Sequence, residues 1–275
     1  MAAGRRRPLT QRLALATSGR EPVGHAIADA AQAGYDAVEL PIASGTRVDG
    51  VAAALATSGI ACWGGVAASS SKVDPASGDR GVRERTIAYL KEALSLVATL
   101  GGSVLVVVPA AVEVEVPLDG RERAWRRAAE TLRACSDRAA ADSIRLAIEP
   151  LNRYESSLVN RCDQALQLAE EVGPECGVCL DLFHMNIEEP DWEAAVRSAS
   201  SRLADVHVAE NTRRAPGASG RDWTQLRDVL DEIRYPGFVT VEYDLATEFA
   251  APDGRPPIAA YGDAARVLRT AFARV

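Results

Sequence analysis

The stretch RLAIEPLNRYESSLVNRCDQALQLAEEVGPECGVCLD, residues 145–181, decides the fold. It opens on a short apolar run, RLAIE, that ends in a carboxylate, and closes on a second, GVCLD, that does the same. Between them lie a polar loop and an amphipathic segment, 161–172, with apolar residues at helical spacing. Apolar run, loop, helix, turn, apolar run is one parallel strand with its crossover to the next, a unit of ~30 or more residues. The unit repeats in both directions along the chain. Strands are expected at 13–17, 37–41, 60–65, 103–108, 145–149, 177–181, 204–209 and 238–242. Helices are expected at 23–33, 47–58, 82–100, 121–141, 161–172, 191–200, 223–233 and 259–273. Eight such units in 275 residues predict a single closed α/β barrel, a (β/α)8 TIM barrel, for which ~250 residues is typical. An open doubly wound sheet is the competing arrangement.

Four strand ends carry the chemistry. Glu149, Asp181, His207 and Glu242 close the runs RLAIE, GVCLD, ADVHV and VTVE, at separations of 32, 26 and 35 residues. In a barrel the strand-to-helix loops share the C-terminal face, where active sites of this architecture lie. Four consecutive strands thus bring one ligand each to a common point. A carboxylate at a strand end is costly unless paired or metal-bound, so Glu149 taken alone reads as a salt-bridge partner or a ligand. His207 sits between Val206 and Val208 and therefore points opposite to them, into the barrel. Two Glu, one Asp and one His form a hard, mostly oxygen donor set, suited to one divalent ion such as Mn²⁺, Co²⁺ or Mg²⁺ rather than a structural zinc.

The loops of the later units are long and polar. The Ser-rich stretch VAASSSKVDPASGDR, 66–80, reads as a flexible loop or a lid on the same rim. Arg213 and Arg214, in ENTRRAPGASG, offer a clamp for substrate oxygens, and His25 in the first helix reads as structural. The net charge of -7 counts against a nucleic-acid partner, since phosphate binding wants a basic face, and none is expected. No run approaches the ~18 apolar residues of a membrane span, so a soluble protein without a membrane partner is expected. Five scattered cysteines make no disulfide framework and fit a reducing cytoplasm. Cys176 and Cys179 form a CxxC, but residues three apart on a strand face opposite ways, which reads as core packing. Lys72 and Lys91 are the only lysines, which counts against Schiff-base chemistry. Residues 1–11, MAAGRRRPLTQ, have a basic start like a signal peptide, yet the apolar run after them is too short; they read as a loose tail before a catalytic domain at 12–275.

The segments EPLNRYESSLVN, LDLFHMNIEE, HVAENTRRAPG and VEYD resemble the signatures of the xylose-isomerase-like TIM barrels, and among them the ketose 3-epimerases typified by D-tagatose and D-psicose 3-epimerase. The resemblance spans about residues 145 to 244. It implies that Glu149, Asp181, His207 and Glu242 bind one divalent ion, usually Mn²⁺, Co²⁺ or Mg²⁺, and that Glu155, His184 and Arg213 hold a sugar around O1, O2 and O3. It further implies that Glu149 and Glu242 are catalytic, one removing the C3 proton and the other returning one on the opposite face through a metal-bound cis-enediolate. A homodimer or homotetramer is implied as well. Ser156-Ser157 and Ser219 depart from the family pattern near the substrate and leave the metal ligands intact. Within the superfamily the rivals are an inosose or keto-inositol isomerase or dehydratase and a metal-dependent deglycosylase of 3-oxo-glycosides; outside enzymes, a non-catalytic sugar-binding barrel. Three histidines are too few for the trinuclear zinc site of endonuclease IV.

Overall fold

The computed structural model describes residues 12–17, 22–43, 45–67, 69–112, 120–243 and 258–273. In chain order the elements are β1 (Arg12–Ala16), α1 (Val23–Gln32), β2 (Ala37–Ile42), α2 (Val48–Ser58), β3 (Ala61–Ala67), α3 (Arg80–Thr99), β4 (Val104–Val107), α4 (Arg121–Arg133), α5 (Ser136–Asp142), β5 (Arg145–Ile148), α6 (Cys162–Val172), β6 (Cys176–Asp181), α7 (Leu182–Glu188), α8 (Trp192–Ala199), β7 (Leu203–Val208), α9 (Thr224–Glu232), β8 (Phe238–Val241) and α10 (Ile258–Phe272). The strands close into a barrel in sequence order, every pair parallel. The expected tail, the core of the 109–120 loop and residues 244–257 lie outside the described residues.

Two apolar layers hold the barrel. Strand residues such as Leu13, Leu105, Val178, Val206 and Val241 face the helices and are fully buried there. The barrel interior is filled by Val104, Val106, Ala147, Cys179 and Ala204. At its N-terminal end Trp63 tilts against Phe238, ring centroids 4.8 Å apart. Gly64 marks a close approach of β3 to β4: a Cβ there would lie 2.4 Å from Cγ1 of Val104.

Two register shifts disturb the ladder, one between β2 and β3 opposite Val38/Glu39 and one between β6 and β7 opposite Val178/Cys179. Trp63 is the extra residue in the first and Ala204 in the second. Bulges re-aim side chains and favour the surroundings of active sites; here the second leaves both Asp205 and His207 on the inner face.

Two expectations are corrected. The helix expected over 121–141 is two, α4 and α5, broken at Ala134–Cys135. No Gly or Pro marks the break, and Cys135 is buried in the core, so packing rather than local sequence bends the chain. Residues after Asp181 form α7 at once, where a loop was expected, because the Asp181 side chain caps it by accepting from the Phe183 amide at 2.8 Å. Within the Ser-rich stretch, read as a flexible loop or a lid, buried Asp74 accepts from the Ala76 and Ala111 amides at 2.9 and 3.2 Å, and its own amide donates to Thr86.

The cysteines divide as the strand period requires, with Cys176 in the helix-facing layer and Cys179 inside the barrel. All five are free and buried. Burial pushes the Cys62 thiol up to about 12 and that of Cys135 to about 11. Since the thiolate is the reactive form, Ellman's reagent at pH 8 is expected to find essentially no thiol in the native protein and all five after denaturation. A rapidly titrating native thiol contradicts this packing. Among the described residues no helix is long and apolar enough to cross a membrane.

Candidate active site

The ladder itself places the four candidate ligands. The Glu149 amide donates to the Val107 carbonyl at 3.0 Å, carrying β5 one residue past its regular end. Asp181, the last residue of β6, is the register partner of His207 on β7. The Glu242 amide donates to the Val208 carbonyl at 3.1 Å, extending β8 in the same way. One ligand atom from each of the four lies within 4.8 Å of all the others.

The side chains aim at one point. His207 Nδ1 is 3.2 Å from Oε2 of Glu242 and 3.6 Å from Oε1 of Glu149. Glu149 Oε1 is buried without a hydrogen-bond partner, a costly state that a cation relieves. Three carboxylates and one imidazole, crowded and desolvated, fit a divalent ion with oxygen preference.

Glu149 and Glu242 sit in unlike electrostatic settings. Burial raises the Glu149 carboxyl above the ordinary range against the pull of His207. Glu242 is desolvated too, yet the hydrogen bond from His207 and the charges of His207 and Arg213 hold it down to about 2. Its side chain remains 28% exposed, open to the cavity.

A second group faces the same space. His184 on α7 is buried, and its Nδ1 accepts from the Asn152 backbone amide at 3.2 Å. That fixes the proton on Nε2, which points toward Arg213 Nη1, 3.2 Å away. Both are donors, so an acceptor placed between them satisfies both. Arg213 also reaches Asp181 Oδ2 and Glu242 Oε2, each at 3.3 Å, and stacks over the Phe183 ring. Burial opposes its charge, but Glu242 and Asp181 keep it protonated. Its φ of 58° places it at the apex of a tight turn, closed by the Glu210 amide on the Arg214 carbonyl. Arg214 itself is exposed, so of the two arginines Arg213 is the one that enters the site.

Glu155 stands at the rim, its Oε1 accepting from Asn152 Nδ2 at 2.8 Å. Asn152 thus ties Glu155 to His184, and Arg153 anchors the same loop through a two-pronged pair with Glu188 at 2.9 and 2.8 Å. A cavity of about 320 Å³ opens over these residues. Glu149, Glu155, His184, Arg213 and Glu242 make its polar wall; Ile42, Val66, Val108 and Val112 make the apolar one. His25 is exposed on α1, away from it.

Three residues escaped the sequence reading. Asn152 lies in a loop that gives no periodic signal. Glu39 and Asp205, by contrast, were detectable: each is an acid inside an apolar strand run, and Asp205 shares the parity of His207.

A family model described as xylose isomerase-like TIM barrel matches residues 27–271. The chain is 30% identical over 234 residues to an L-ribulose 3-epimerase of Mesorhizobium japonicum, covering 82% of this chain and 77% of that protein. It is 30% identical over 238 residues to a ketose 3-epimerase of Arthrobacter globiformis, covering 85% and 81%. Among solved structures, a D-allulose 3-epimerase from Methylomonas sp. shares the fold at a TM-score of 0.85 and 24% identity, over 96% of this chain and 99% of that one.

Proposed function

Because the chain belongs to the xylose isomerase-like TIM barrel family and is a carbohydrate isomerase or epimerase, we propose that it is a divalent-metal-dependent ketose 3-epimerase. The observation that carries this reading is the pair Glu149 and Glu242. They stand three strands apart around the ring and line one cavity, as the two faces of one carbon require. Relatives named for 3-epimerase activity on ketoses support the same choice.

Glu149, Asp181, His207 and Glu242 would hold the ion, with Mn²⁺ first and Co²⁺ or Mg²⁺ as alternatives, since one imidazole in an oxygen set softens it. A bound divalent ion supplies positive charge that stabilises the negative charge developing on the ketose oxygens as the C3 proton leaves. One glutamate takes that proton and the other delivers one to the opposite face. The glutamate that delivers must carry a proton at that moment, so the two exchange roles with the direction of the reaction. Arg213 and the Nε2–H of His184 converge as donors on one substrate oxygen. Glu155 has an oxygen left to accept a sugar hydroxyl. The apolar wall opposite excludes water from the enediolate and faces the distal carbons.

Incubating the Mn²⁺-loaded protein in D₂O with D-fructose, D-tagatose or D-psicose tests the assignment. Deuterium at C3, with appearance of the C3 epimer, is expected for at least one ketose. Label at C1 or C2 instead indicates an aldose–ketose isomerase, and no exchange with any ketose overturns the proposal.

A further inference from the structure

Beneath the four ligand positions lies a second layer of acids that the proton exchange does not use. Glu39, on β2, is wholly buried, and its Oε2 lies 2.9 Å from Nε2 of His207. Neither Glu39 oxygen, nor Nε2 of His207, has a hydrogen-bond partner of regular geometry among the described residues, so the two unsatisfied groups stand at contact distance of each other. Asp205 is also near, its Oδ2 3.7 Å from the same nitrogen. Its acceptors are engaged elsewhere: Oδ2 by the Trp63 indole at 2.9 Å, Oδ1 by the Val206 amide at 2.8 Å and the Thr240 hydroxyl at 3.2 Å. Asp205 is therefore an anchored neighbour, and Glu39 the free acceptor.

An imidazole has two nitrogens, and the partner of one decides what the other can do. A histidine that binds a metal commonly donates its remaining N–H to a carboxylate, which fixes both tautomer and ring orientation. In this barrel His207 Nδ1 faces Glu149 and Glu242 while Nε2 faces Glu39. We propose that Glu39 is the positioning residue of the metal centre: it accepts the Nε2–H of His207 and so commits Nδ1 to the ion. The inference rests on the metal-centre reading above.

The register shift at Trp63 supports the placement. With Trp63 as the extra residue, Glu39 pairs with Gly64, and the displaced indole reaches across the barrel to Asp205. One irregularity thus both seats Glu39 under His207 and occupies its competitor.

Calorimetric titration with Mn²⁺ alone, on wild type, Glu39→Ala and Glu39→Gln, tests this without any assay of turnover. Wild type is expected to bind one ion. Glu39→Ala is expected to bind 10- to 100-fold more weakly, and Glu39→Gln, whose amide oxygen still accepts the N–H, to recover most of that loss. In parallel, long-range ¹H–¹⁵N spectra of the Mg²⁺-loaded wild type, with only three histidines to assign, should show His207 as the Nε2–H tautomer. That spectrum decides the question even where the alanine variant does not fold. Glu39→Ala binding Mn²⁺ as tightly as wild type, with only its melting temperature lowered, overturns the inference. So does an Nδ1–H tautomer, or two ions per chain, which would make Glu39, Asp205 and His207 a second cation site. Wild type that binds no Mn²⁺ overturns the metal centre itself and this inference with it.

Discussion

Glutamine in place of Glu242 is expected to lower the turnover of the ketose by on the order of 10³-fold, the range in which a positioned acid or base contributes. The substitution keeps the shape and one ligand oxygen but removes the ability to accept a proton from, or return one to, one face of C3. Arg213 Nη2 stands 3.3 Å from Oε2 of Glu242, facing a carboxylate charge that the variant lacks. The loss should fall on kcat more than on KM, because the missing interaction belongs to the transition state. Mn²⁺ affinity should fall far less than turnover, since three other ligands remain. C3–H exchange into D₂O separates the roles of the two glutamates, and turnover within tenfold of wild type would exclude a two-base scheme.

Removal of the metal is the second large effect. Dialysis against a chelator is expected to abolish epimerisation, and added Mn²⁺ to restore it. The physical reason lies in the crowding of Glu149, Asp181 and Glu242 within 4.8 Å of one another, where their charges repel in a desolvated site. Ion binding offsets that repulsion in the native state alone. Saturation at a hundred times Kd should therefore stabilise by about 2.7 kcal/mol, seen as a rise of a few degrees in Tm. A protein equally active and equally stable in excess EDTA has no such metal centre.

The fold was legible because its signal is repetitive. Eight apolar runs separated by helical periods leave few other architectures, and the alternation of Val206, His207 and Val208 sufficed to aim the imidazole inward. The period of two likewise separated Cys176 from Cys179. What local sequence could not carry was anything decided by a distant partner. The α4–α5 break has no breaker residue, and α7 follows β6 without a loop because the cap residue is also the strand's last. Asn152 matters through contacts with residues 3 and 32 positions away. Glu39 is 168 residues from His207; its inward parity was readable, but its partner depends on two bulges that no motif announces.

Asp181 closes β6, caps α7 through one oxygen and meets Arg213 with the other. Such a double duty restricts descent. Glutamate would keep the charge but is a poor cap, and asparagine would keep the cap but lose the charge, so neither of the nearest substitutions serves both tasks. Engineering of this barrel for another substrate should therefore work on the rim loops and leave the junction of β6 and α7 untouched.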